Sequence, residues 1–166
     1  MSAWSVTTSW IGRRRFEGCS PTPAVVPMDT RPDAGGEGSA PTPMETLLIA
    51  LGGCTGADVV GILEKMRAPL EGLTITVTGE RAETHPKVFT RIHLRYEVRG
   101  KGLTPRQVER AVRLSQEKYC SVAAMLRPTA ALTYEIVLFD RPAGRAERLA
   151  GGMGPASAPE PTFGGA

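Results

Sequence analysis

Apolar and polar residues alternate along much of this chain with the period of a strand, and one long stretch breaks that alternation. Trp4, Val6, Thr8 and Trp10 share a parity up to Gly12, so residues 3–11 read as a strand, with Arg14–Glu17 and Ala24–Met28 as two shorter ones. Between Met28 and Thr42 the glycines, prolines and charges of DTRPDAGGEGSAP predict a mobile loop. Thr42, Pro43 and Glu45 then announce a helix: a hydroxyl N-cap, proline at the first helical position, and a carboxylate able to reach back to the cap. From Leu47 to Leu63 only Thr55 and Asp58 are polar. A helix apolar on every side must be covered on every side.

Glycines 52, 53, 56 and 61 lie inside this helix, and each costs about 1 kcal/mol relative to alanine unless something offsets it. Close packing against the backbone is the expected compensation. So short a chain has few elements left to wrap the helix, which predicts that a second subunit helps to bury it.

After Pro69, Leu73, Ile75 and Val77 form one alternating run. Val88, Thr90, Ile92, Leu94, Tyr96 and Val98 form another, with Arg91, His93, Arg95, Glu97 and Arg99 on the opposite face. Together they predict an antiparallel hairpin with one wet face. Thr104, Pro105 and Gln107 repeat the capping pattern, so a helix should run from Pro105 to about Tyr119 with Val108, Ala111, Val112 and Ser115 inward. A short helix from Ser121 to Leu126, stopped by Pro128, precedes a closing strand marked by Leu132, Tyr134, Ile136 and Leu138. Residues 141–166 have little to bury and read as a disordered Gly/Pro-rich tail, leaving 1–140 as one domain. The order of elements is that of an α+β domain with helices on an antiparallel sheet.

Composition narrows the function classes. A net charge of +3, few aromatics and a single dense basic cluster at Arg13, Arg14 and Arg15 leave no broad stripe for nucleic acid. No uninterrupted apolar run reaches the roughly 18 residues of a membrane span, and the polar-alternating start does not resemble a secretory signal. The expectation is a cytoplasmic protein with no membrane partner. There the three cysteines, Cys19, Cys54 and Cys120, stay reduced by default, so a disulfide would be transient and chemical.

Cys54 lies on the apolar line of the long helix, where a thiol either packs inertly or, with glycines clearing space beside it, meets a substrate. Cys120 lies at the start of the short helix, where N–H groups and the helix dipole favour a thiolate; its other reading is a corner filler. The arginine run either lowers a thiol pKa and orients an oxygen or is a solvated strand edge. Glu45 is explained by its capping box, and Asp58 is either a cap for another element or a partner for Arg15. His85 and His93 stand outside any ligand cluster, so no metal and no cofactor is expected.

Four stretches carry a resemblance: RRRF at 13–16, PMETLLIALGGCTGADVVGILEKM at 43–66, ERAETHPKVFTRIHLRYEV at 80–98 and EKYCSVAAML at 117–126. In this order, over residues 4–140, they resemble the osmotically inducible protein C and organic hydroperoxide resistance (OsmC/Ohr) family, most closely its broad OsmC-like branch. The resemblance implies an OsmC-like fold, with antiparallel sheets around a long buried central helix, and an intertwined homodimer with active sites at its interface. It also implies an organic hydroperoxide substrate and an external dithiol reductant. Carried over, Cys54 is the peroxidatic thiol, Cys120 the resolving one, and Arg15 the assisting arginine, with Arg13 and Arg14 competing for that register. Glu45 is the nearest match to the glutamate that peroxidase members carry ahead of the first cysteine. Met44 occupies that position here, and a one-residue shift turns a helical side chain by about 100°. A rival reading is a non-catalytic dimer that binds a small apolar ligand or senses oxidants.

Overall fold

The structure is a computed structural model of a single chain and describes residues 3–140 and 145–153. The chain divides into two compact units, residues 1–49 and residues from 50 onward. In the first, β1 (Thr7–Gly12), β2 (Arg15–Cys19) and β3 (Val25–Met28) form an antiparallel sheet in chain order. Gly12, at φ 114°, and Arg13, at φ 48°, make the left-handed turn between β1 and β2.

The segment after β3 is not the structureless loop that its composition predicts. Asp29 organises it: one carboxylate oxygen accepts from the Thr30 N–H (2.7 Å), and the other from the N–H groups of Glu37 (3.1 Å) and Ser39 (3.0 Å) and the Ser39 hydroxyl (2.9 Å). Composition shows the glycines that let a chain turn, but not the single anion around which it turns. The Thr42/Glu45 box is formed as expected, with Thr42 N–H on the Glu45 carboxylate (2.7 Å) and Glu45 N–H on the Thr42 hydroxyl (3.2 Å). It opens α1 (Pro43–Lys65).

The second unit has a four-stranded sheet in the order β4 (Gly72–Arg81), β5 (Phe89–Arg99), β6 (Ala131–Asp140), β7 (Arg145–Met153). β4 and β5 form the expected antiparallel hairpin. β5 and β6 run parallel, so the sheet is mixed, because the chain between them crosses over through α2 (Pro105–Leu114), a π-helical turn (Ser115–Tyr119) and α3 (Ser121–Leu126). Ile92, Leu94, Tyr96 and Val98 are buried as their alternation predicts, and Arg95 sits on the other face in ion pairs with Glu97 and Glu135. The inward parity does not reach Val88 and Thr90: a register shift beside Arg81 turns Phe89 inward instead.

Two further expectations are corrected. The helix predicted to run unbroken from Pro105 ends at Leu114, and Ser115–Tyr119 widen into a π turn closed by the Cys120 N–H on the Ser115 carbonyl (2.9 Å). The tail expected from 141 onward includes β7, which pairs antiparallel with β6. Backbone hydrogen bonds to an open edge need no apolar pattern, and Leu149 is the one buried anchor among β7's described side chains. Residues 141–144 and 154–166 of that predicted tail lie outside the described residues.

α1 is long and apolar enough to cross a membrane by length and composition alone, yet one stripe of it, Leu51, Thr55, Val59 and Leu63, is buried in the core. Two of its glycines explain themselves. A Cβ on Gly56 would stand 3.3 Å from the Ile75 side chain and one on Gly52 3.4 Å from Val77, so glycine lets α1 settle onto β4. Over Gly53 and Gly61 there is open space, and Ile49 is 60% exposed. The single chain covers only part of its apolar helix.

Asp29 gives a pH prediction. Hydrogen bonds, led by that from the Ser39 N–H, hold its carboxyl at about 2 against an ordinary 3.8. A depressed native pKa contributes stability above the unfolded value that is lost as the group protonates. Denaturation midpoints should therefore fall as pH drops from about 4 towards 2, and Asp29→Asn should flatten that part of the profile. An unchanged profile in the variant would show that this carboxylate does not organise the loop.

Candidate functional site

The second unit brings Cys54 and Cys120 together. Cys54 is half-buried on α1, one position before buried Thr55, and Cys120 is the buried N-cap of α3. Their sulfurs and a carboxylate oxygen of Asp58 all lie within 4.8 Å of one another. Asp58 follows Cys54 by one helical turn, so the two side chains share a face. Spacing along the chain sets both cysteines on helices but not the distance between them, and Asp58, a cap or an Arg15 partner by sequence, stands instead beside both sulfurs.

A buried polar network sets that geometry. The Ser115 hydroxyl donates to Asp58 Oδ2 (2.9 Å), and because a carboxylate only accepts, that proton is committed. The 2.8 Å contact between Thr55 and Ser115 then requires Thr55 to donate, and the 2.7 Å contact between Tyr96 and Thr55 requires Tyr96 to donate in turn. The Gln116 amide donates to both the Tyr96 (2.7 Å) and Thr55 (3.2 Å) oxygens. The hydroxyl protons thus point one way, from β5 through α1 and the π turn to the carboxylate beside the sulfurs. Ser115 and Gln116, both buried, lie in the π turn one helical step beyond the buried Ala111 and Val112 of α2. Arg127 braces the π turn by donating to the Gln116 carbonyl.

Burial pushes the Cys120 thiol up to about 11, opposed by the Ala123 N–H on its sulfur (3.5 Å) and reinforced by the nearby Cys54 and Asp58. The helix start was expected to favour a thiolate here. Desolvation outweighs that single cap bond, so at neutral pH Cys120 keeps its proton. Burial likewise raises the Tyr96 hydroxyl to about 12, and it stays a donor.

A cavity of about 470 Å³ opens beside Asp58, with Ala57, Ile62, Leu114 and Tyr119 among its apolar walls and Lys65 and Arg110 at its edge. Leu51 and Val59 take no part in this lining and are fully buried in the core stripe.

The remaining predicted site residues belong to the first unit. Arg13 and Arg15 both approach the Glu37 carboxylate, at 3.5 and 3.8 Å, a partner hidden in the sequence because Glu37 lies in the segment whose composition predicts a mobile loop. Arg14 runs along Gly35. Glu45 is engaged in the α1 cap, and the Thr42 N–H lowers its pKa. Cys19 ends β2, exposed.

Residues 36–135 match the OsmC-like protein family, and the chain belongs to that family. Protein YhfA of Escherichia coli K12 is 48% identical over 100 residues, 59% of this chain and 75% of YhfA. The crystal structure of a hypothetical protein from Aquifex aeolicus VF5 is similar at 31% identity and a TM-score of 0.70, covering 83% of this chain and 98% of that one. An organic hydroperoxide resistance protein OsmC from Legionella pneumophila, at 17% identity and a TM-score of 0.61 over 82% of this chain and 97% of its own, shares the fold. The family and the α+β class read from the sequence are thereby established.

The raised Cys120 pKa has a direct readout. Iodoacetamide labelling of Cys120, followed by mass spectrometry between about pH 7 and 9, should climb about tenfold per pH unit. A rate flat with pH would mean that the thiol is already ionised.

Proposed function

We propose that this chain is a thiol peroxidase that reduces organic hydroperoxides through Cys54 and Cys120, acting in the cytoplasm as a homodimer recycled by an external dithiol. The observation that carries the reading is the approach of the two sulfurs to within 4.8 Å. Two thiols far apart along the chain that meet beside Asp58, itself a wall of the cavity, suit a peroxidatic and resolving pair.

The roles follow from burial. Cys54, the more accessible sulfur, attacks as thiolate the terminal oxygen of ROOH; the O–O bond breaks, ROH leaves after taking a proton, and a sulfenic acid remains. Cys120, which has kept its proton, condenses with it: the S–S bond forms and the hydroxyl leaves as water. Asp58, beside both sulfurs, is the group suited to pass that proton. A dithiol then returns two electrons by exchange. The cavity's apolar walls favour an organic peroxide by burying its tail.

By the family resemblance we assign Arg15 as the assisting arginine; within its own unit it ion-pairs with Glu37. Glu45 serves the site at a distance, by fixing the start of α1. The uncovered face of α1, with open space over Gly53 and Gly61, supports a second copy as its cover.

With one equivalent of cumene hydroperoxide, stopped-flow thiol titration should show rapid loss of two thiols per chain, with a 54–120 disulfide found by mass spectrometry. Cys54→Ser should abolish the reaction. Unreacted thiols would instead favour a non-catalytic role in which the cavity holds an apolar ligand. Sedimentation equilibrium should give the mass of two chains, and a monomer at micromolar concentration would contradict the shared helix cover.

A further inference from the structure

We propose that Cys54, Asp58 and Cys120 also form a binding site for a thiophilic divalent cation, with Zn²⁺ as the ion to test. Two soft sulfurs and one carboxylate oxygen converge within 4.8 Å, on a scaffold that two separate helices hold. Cys54 and Asp58 are spaced i, i+4, which sets two ligands on one helix face. Cys120 supplies the third from the start of α3.

Tetrahedral zinc with Zn–S bonds of about 2.3 Å holds two sulfurs about 3.8 Å apart, and a sulfur and a carboxylate oxygen somewhat closer. From separations within 4.8 Å, the three atoms therefore need to contract by no more than about 1.2 Å. Three protein ligands leave the fourth position open, the arrangement of exchangeable or reactive zinc rather than of a closed structural site. A ligating carboxylate needs an outer partner to aim it, and Asp58 has one in the Ser115 hydroxyl at 2.9 Å. The cavity that reaches Asp58 gives the ion a way in from solvent.

The charges also balance. Each thiol gives up its proton on binding, so two thiolates and a carboxylate meet a dication with one negative charge in excess. Lys65 and Arg110 line the same cavity and offset it. Because thiols release their protons on binding the ion, protons and metal compete, and affinity should rise with pH. An ion seated here ties up both sulfurs. If the peroxidase reading above holds, zinc would keep the pair reduced and closed to peroxide.

The test uses the full chain, reduced with a phosphine, freed of metal by chelator and titrated with Zn²⁺ against a chromophoric competitor. One Zn²⁺ per chain is expected, bound more tightly at pH 8 than at pH 6.5, roughly the range over which thiol protons compete. Asp58→Asn keeps the acceptor for Ser115 but removes the charge, and should weaken binding about tenfold or more; Cys54→Ser and Cys120→Ser should do the same, and Cys19→Ser should not. Absence of zinc binding, or affinity unchanged in Asp58→Asn or in either site-cysteine variant, would overturn the three-donor site. No peroxide enters the titration, so a chain that binds zinc and ignores hydroperoxide would sink the peroxidase reading and leave the metal site standing.

Discussion

The geometry around Cys54 and Cys120 depends on one buried hydroxyl, that of Ser115, which joins α1 to the π turn. It donates to Asp58 and accepts from Thr55, and through Thr55 it is tied to Tyr96 on β5. Buried polar groups are costly unless satisfied, and here each finds its partner inside the network. The directed hydroxyl chain therefore specifies one arrangement of three elements. That arrangement sets Cys120 opposite Cys54.

From this constraint the difference in exposure between the two thiols follows. Burial that secures the network also desolvates Cys120 and holds its proton, while Cys54, one step around α1 from the buried stripe, keeps partial access. The same placement brings Asp58 beside both sulfurs. A carboxylate there can move a proton during condensation or complete a metal site, and both proposals draw on its closeness to the two cysteines.

The parts of the fold legible in the sequence are those governed by local rules. Thr42 with Glu45 and Thr104 with Gln107 announce their helices by capping chemistry, and both boxes are formed. Leu94, Tyr96 and Val98 announce a half-buried strand by parity. What stayed hidden depends on pairings that spacing does not encode. The π turn carries Ser115 and Gln116, whose partner Thr55 lies sixty positions from Ser115 in the chain. β7 is held by backbone bonds to β6 rather than by an apolar pattern, and the Asp29 loop by one anion with four donors. At the site, both cysteines could be named in advance, whereas Asp58 and Glu37 acquire meaning only from what folds against them.

The most direct measurement is the effective concentration of the Cys54/Cys120 pair, obtained from its thiol–disulfide equilibrium with a reference dithiol in the parent chain and in Ser115→Ala. If the Ser115 hydroxyl positions the sulfurs, its removal lowers that concentration about fivefold or more, the equivalent of one lost buried hydrogen bond, while the circular dichroism of the fold is retained. An effective concentration identical in the two proteins would contradict the account.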